Sequence, residues 1–257
     1  MTELTLKQTA RMTRDLNTDA SSCLENFVDY VVASVLAGNG IPVVTDAVTN
    51  IVATRKNTFY ATNINAQTLL TPVNSATGLD ISGDATAGDG YEITMQNPGN
   101  TDAKFNFTID SEPVGFYLEA CITTADISGA AELLVGFRKA GVHANARATY
   151  TDYAYIGMIQ ADIKLATDLN DAGETLTDTT MNAVDGGQVT LRVEVTTDGK
   201  VTYKVANGAT ASLITPTVNL DYKFDTGDIV VPSIRLIQHS DITGACVLNY
   251  VKCGYIN

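Results

Sequence analysis

Val189-Thr190-Leu191-Arg192-Val193-Glu194-Val195, then Asp198-Gly199, then Val201-Thr202-Tyr203-Lys204-Val205, is the stretch that decides the fold class. Apolar and polar residues alternate on both sides of Asp-Gly. A period of two sends successive side chains to opposite faces of a strand, and Asp-Gly supplies the turn. The pattern predicts a β-hairpin with one buried and one solvated face. Outward from it the same grammar recurs. Tyr91-Glu92-Ile93-Thr94-Met95 and Phe105-Asn106-Phe107-Thr108-Ile109 alternate, and Phe116–Ile122 follows Pro113. Leu133-Leu134-Val135-Gly136-Phe137 is a short apolar run. Tyr153–Ile159 and Ala161–Leu165 read as two further strands, and Ile234–Ile237 with Val247–Val251 close the chain. Many short strands without interleaved helices predict an antiparallel sandwich or barrel over residues 79–257.

Residues 1–78 read differently. Five basic and six acidic side chains nearly cancel there, so the remainder carries eleven and twenty-three of the 16 basic and 29 acidic groups. Leu24, Phe27, Val28, Val31, Val32 and Val35 recur at three- and four-residue spacing, which predicts a helix over about 22–37 with one apolar face. Ser22 with Glu25 forms a capping box, and Gly38-Asn39-Gly40 before Pro42 ends the helix. Residues 41–78 are polar, rich in Asn and Thr, and only locally periodic. The expectation is an N-terminal helical and extended arm. Its six apolar residues face either the chain's own β domain or a neighbouring subunit.

Composition excludes several function classes. A 45% hydrophobic share rules out wholesale disorder. A net charge of −13 argues against gripping nucleic acid or an anionic membrane, since both need clustered Lys and Arg. The N-terminal residues lack the pattern of a signal peptide, so synthesis in a cytosol is expected. Cys23, Cys121, Cys246 and Cys253 form no C-x-x-C pair and read as reduced, buried thiols. No cofactor is expected.

No catalytic motif is legible. There is no complete phosphate loop and no G-x-S-x-G elbow. His143 and His239 read as polar loop residues. A retaining glycosidase needs two carboxyl groups about 5–5.5 Å apart, and no strand carries alternating acids. Glu119, Asp162 and Glu194 are each the only acid of their strand and read as solvent-facing. Tyr150, Tyr153 and Tyr155 are the candidate glycan contacts, because aromatic faces stack on sugar rings. Asp80, Asp84 and Asp89, in a Gly-rich stretch, are candidate cation ligands, and Asp168–Gly173 begins like a calcium loop but offers Thr179 where the bidentate Glu should be; solvated turn acids are the default.

Phe116–Ala120, Leu134–Arg138, Tyr150–Gly157, Gly187–Tyr203 and the two closing strands resemble the strand succession of concanavalin A-like jelly rolls. Versions with an N-terminal arm are similar to structural proteins of tailed-phage virions, capsid decoration (cement) proteins above all. The resemblance implies a non-enzymatic protein on the capsid surface, bound to the major capsid protein and to itself as a dimer or trimer. The alternative is a lectin-like adhesion domain of a phage head or tail fibre that binds glycans. A third reading is a divergent glycoside hydrolase or lyase.

Overall fold

A computed structural model describes residues 22–26, 31–33, 49–53, 58–65, 73–75, 77–82, 87–96, 106–218, 221–238 and 244–256. In chain order the strands are β1 (Ser22–Asn26), β2 (Val31–Ala33), β3 (Thr49–Ala53), β4 (Thr58–Ile64), β5 (Val73–Ser75), β6 (Gly78–Asp80), β7 (Gly90–Thr94), β8 (Phe107–Thr108) and β9 (Phe116–Thr124). They continue as β10 (Ala130–Lys139), β11 (Tyr153–Ile159), β12 (Asp162–Asp168), β13 (Thr175–Asn182), β14 (Gln188–Val195), β15 (Val201–Asn207), β16 (Ile229–Gln238) and β17 (Cys246–Tyr255).

Two antiparallel sheets result. One runs β15-β14-β9-β17-β6-β5, with β1 also paired to β17. The other runs β13-β12-β11-β10-β16-β7-β4-β3-β2, with β8 also paired to β16. The hairpin at 189–205 is β14 and β15, and Val189, Leu191, Val193 and Val195 all point into the core. Its turn works as Asp-Gly predicts. Gly199 adopts φ 93° and donates to Thr196 O at 2.9 Å, a left-handed position that glycine takes without strain. From the facing sheet Leu133, Val135, Phe137, Ala154, Ile156, Ile234 and Leu236 close the same core. Phe107 stacks on Phe116 with ring centroids 4.0 Å apart, and Phe137 meets both rings edge-on.

Two expectations are corrected here. The first is the helix over 22–37. Its described residues are strands: Leu24 lies in β1 opposite Lys252, and Val31 and Val32 lie in β2 opposite Ala53 and Val52. β-branched valines lose side-chain freedom in a helix and fit a pleated sheet, and long-range pairing decides between two readings of one apolar spacing. Phe27, Val28 and Val35 lie outside the described residues. Strand β4 pairs with β7, so the ten-stranded sheet takes in residues from before position 79. The second concerns Glu119, which is not solvent-facing. It is 4% exposed, because Arg192 at 3.1 Å and Lys252 at 3.4 Å close over it. Cys121, Cys246 and Cys253 are buried free thiols, as the sequence suggests, and burial pushes the Cys246 thiol up to about 12.

Candidate functional site

The strand period puts one chemistry on each face of the ten-stranded sheet. In β7, Tyr91 and Ile93 join the core, so Glu92 and Thr94 face outward. In β16, Ser233 and Arg235 alternate with core-facing Ile234 and Leu236. In β10 the outward residues are Glu132, Leu134, Gly136 and Arg138, and in β11 they are Tyr153 and Tyr155. Register brings these strands together, with Glu92 opposite Arg235 and Leu134 opposite Arg235 on the other side. A sheet's outer face is ordinarily solvated. Here Glu92, Arg138, Arg235 and Tyr155 have no exposed surface, because residues 140–152 cross over them.

Glu92 is the hub. Its Oε1 accepts from Arg138 Nε at 2.6 Å and from Ser233 Oγ at 2.9 Å. Its Oε2 accepts from Tyr150 Oη at 2.6 Å and lies 2.6 Å from His143 Nδ1 and 3.9 Å from Arg235 Nη1. Arg138 also donates to Gln96 Oε1 at 3.0 Å and stacks on the Tyr150 ring, 4.4 Å from its centroid. Arg235 grips the overlying chain, donating to Ala144 O at 3.3 Å and Asn145 O at 2.6 Å. At the rim, Arg147 pairs with Glu132 and Glu174, and Tyr153 Oη donates to Glu174 at 2.8 Å.

The electrostatics fix the protonation of this hub. Burial by itself would raise the Glu92 carboxyl. Arg138, the hydrogen bond to His143 and Arg235 together outweigh burial and hold it well below the carboxylate's usual range. Burial and the Glu92 charge push the Tyr150 phenol up, and push Tyr155 up to about 12. The site therefore offers a permanent carboxylate acceptor and neutral phenol donors. A carboxylate whose folded pKa is lowered stabilises the fold above its ordinary value and loses that contribution as pH falls through the folded one. Stability is expected to decline progressively below about pH 4.5. Denaturant midpoints measured across that range check this, and Glu92→Gln should flatten the acid limb.

Tyr150, Tyr153 and Tyr155 do come together, with Tyr153 and Tyr155 ring centroids 5.6 Å apart. They are buried at 5%, 0% and 0% exposure, so a sugar reaches them only if residues 140–152 move. Asp80 caps its own turn, accepting from Ser82 N at 2.9 Å. Asp89 is half-buried, and Asp84 and His239 lie outside the described residues. No group of three or more metal-ligating side chains occurs among the described residues. The sequence reading missed Glu92, Arg138, Arg235 and the role of His143. The available signal was a lone charge inside an otherwise apolar strand, as in Ile234-Arg235-Leu236.

No protein-family model matches the chain, and no curated protein does. Solved structures do. Arcelin-5, a lectin-like defense protein from Phaseolus vulgaris, is 9% identical over 93% of this chain and 100% of its own, with a TM-score of 0.51. An alginate lyase from Klebsiella pneumoniae is 11% identical over 80% and 82%, TM-score 0.38. A glycosyl hydrolase family protein from Mycobacterium fortuitum is 10% identical over 90% and 98%, TM-score 0.39. The chain thus shares the antiparallel jelly-roll sandwich fold of that lectin-like protein. The expectation of a non-enzymatic protein is withdrawn, since a fold of this kind neither fixes nor excludes an activity.

Proposed function

We propose that this chain is a glycan-binding, lectin-like domain whose ligand face is the outer surface of the ten-stranded sheet around Glu92, Arg138 and Arg235. The observation that carries the reading is the sealed charged cluster under residues 140–152. Burying ions costs several kcal/mol each, roughly, and apolar side chains of similar volume hold a fold at least as well. Such a cluster on the outer face of a sandwich is better accounted for by recognition than by stability. Its carboxylate acceptor, guanidinium donors and tyrosines match the mixed donors, acceptors and apolar patches of a sugar ring. Immobilised polysaccharides and a glycan array test it. Saturable binding that Arg235→Lys weakens at least several-fold is expected, because Lys loses the planar fork that holds two acceptors. An array on which no glycan binds would sink the reading.

A second reading rests on charge. A chain at −13 suits dense display without self-association, as on a particle surface. In it the protein decorates a phage capsid as a dimer or trimer, made in the host cytoplasm and bound to the major capsid protein. Counting the chain against that protein in purified particles tests this. A copy number near a simple fraction of the capsid subunits supports it, and absence removes it.

A further inference from the structure

Residues 140–152 form a closed loop with a pinned base. Lys139 N donates to Asp152 O at 2.8 Å, Ala140 N to Ile229 O at 2.7 Å, and Asn170 N to Asp152 Oδ1 at 2.8 Å. The loop is Ω-like, a compact surface segment whose two ends lie close together. Above the base the hold on the sheet is largely polar. Arg235 takes the carbonyls of Ala144 and Asn145, Arg138 takes that of Gly141 at 3.4 Å, and His143 and Tyr150 take Glu92. Tyr150 is the one fully covered apolar group of the loop, and Val142 is 63% exposed. Lifting the loop therefore breaks mainly polar contacts and uncovers the aromatic cluster of Tyr150, Tyr153 and Tyr155. The loop also leaves the face incompletely satisfied. Arg138 Nη2, Arg235 Nε and His143 Nε2 are buried with no hydrogen-bond partner among the described residues. Unsatisfied buried polar atoms of this kind call for a missing partner.

We infer that residues 140–152 act as a strap that a ligand displaces, and that this ligand is a neutral polyhydroxylated glycan. The inference rests on the glycan-binding reading above. Charge selects the class. Glu92, Glu132 and Glu174 stand against Arg138, Arg147 and Arg235, so the site is balanced. An acidic sugar would bring an uncompensated charge into a buried site and approach a chain of net charge −13. What the strap gives the two sheet arginines is neutral carbonyl oxygen. Sugar hydroxyls return neutral oxygens in adjacent pairs, and their protons can go to Glu92. They also reach the guanidinium and imidazole atoms that the strap leaves without partners.

The test uses the full chain with a soluble neutral β-glucan, a neutral galactan and a polyuronate. Binding is read by calorimetry and strap opening by tryptic cleavage after Arg147, which is now held by Glu132 and Glu174. A neutral glycan is expected to bind and to raise cleavage at Arg147 several-fold. Tyr150→Phe keeps the ring under Arg138 but removes the hydroxyl that joins Glu92 to Ala144 N. It should raise cleavage without ligand and tighten apparent affinity by a similar factor, because closed strap taxes binding in proportion to its population. Neutral-glycan binding with unchanged cleavage, or preference for the polyuronate, overturns the strap inference and leaves the glycan reading standing. No binding of any of the three to wild-type protein or to Tyr150→Phe overturns both. If Tyr150→Phe fails to fold, the wild-type arms alone decide.

Discussion

Glu92→Gln is expected to lower stability by about 3–5 kcal/mol, the loss typical of removing one partner from a buried ion pair. The amide keeps the volume of the carboxyl and still accepts from Ser233. It leaves the guanidinium groups of Arg138 and Arg235, both without exposed surface, short of their counter-charge. The second amide hydrogen bond to Tyr150 or His143 does not offset this, because it restores no negative charge beside the two guanidinium groups. For a domain of this size the loss corresponds to a fall in melting temperature of about 10 °C. Urea or thermal unfolding checks it. Replacing Glu92, Arg138 and Arg235 together by apolar residues should recover much of the loss, since no unpaired ion then remains. A Glu92→Gln loss below about 1 kcal/mol would mean that water reaches the cluster, as at a surface pair.

The second large effect comes from a methyl group. Gly136 in β10 and Gly157 in β11 lie where an added Cβ would run into the backbone oxygens of Ala154 and Leu133 on the partner strand. Both sit in the β10–β11 pairing, Gly136 opposite Tyr155 and Gly157 opposite Leu134. Neither has a positive φ, so the restriction is space rather than conformation. A backbone oxygen cannot rotate away as a side chain can, and the two strands must part at the centre of the sheet. Overpacking costs about 1–3 kcal/mol when side chains can yield, and Gly136→Ala or Gly157→Ala should lie at or above the top of that range. The combined variant is expected mostly in the insoluble fraction, with the single variants measured by unfolding midpoint. Wild-type stability in both singles would show that β10 and β11 stand further apart than described.

These two predictions divide along what could be read locally. Strand β11 occupies the residues its apolar run predicts, and the β14–β15 hairpin turns at Asp198–Gly199 as expected. Alternation and turn chemistry are properties of a few adjacent residues, so the sequence by itself determined the antiparallel sandwich. It did not reveal β13, whose Thr175–Asn182 stretch is polar and mostly exposed. That strand exists because β12 offers it an edge. Nor did it reveal that Val31 and Val32 join a sheet, because helix and strand compete for the same apolar residues until a partner such as β3 is in place.

The proposed ligand face was decided by tertiary structure alone. Glu92 meets Arg138 across 46 residues, Tyr150 across 58 and Ser233 across 141. In the sequence each is a single polar residue in an alternating strand or a loop, the ordinary signature of a solvated position. What turns them into a buried, charge-balanced cluster is the pairing of β7, β16 and β10 and the strap that crosses them. Periodicity determines which way a side chain points. Only the chain that returns over it determines whether it meets water, a counter-charge or a ligand.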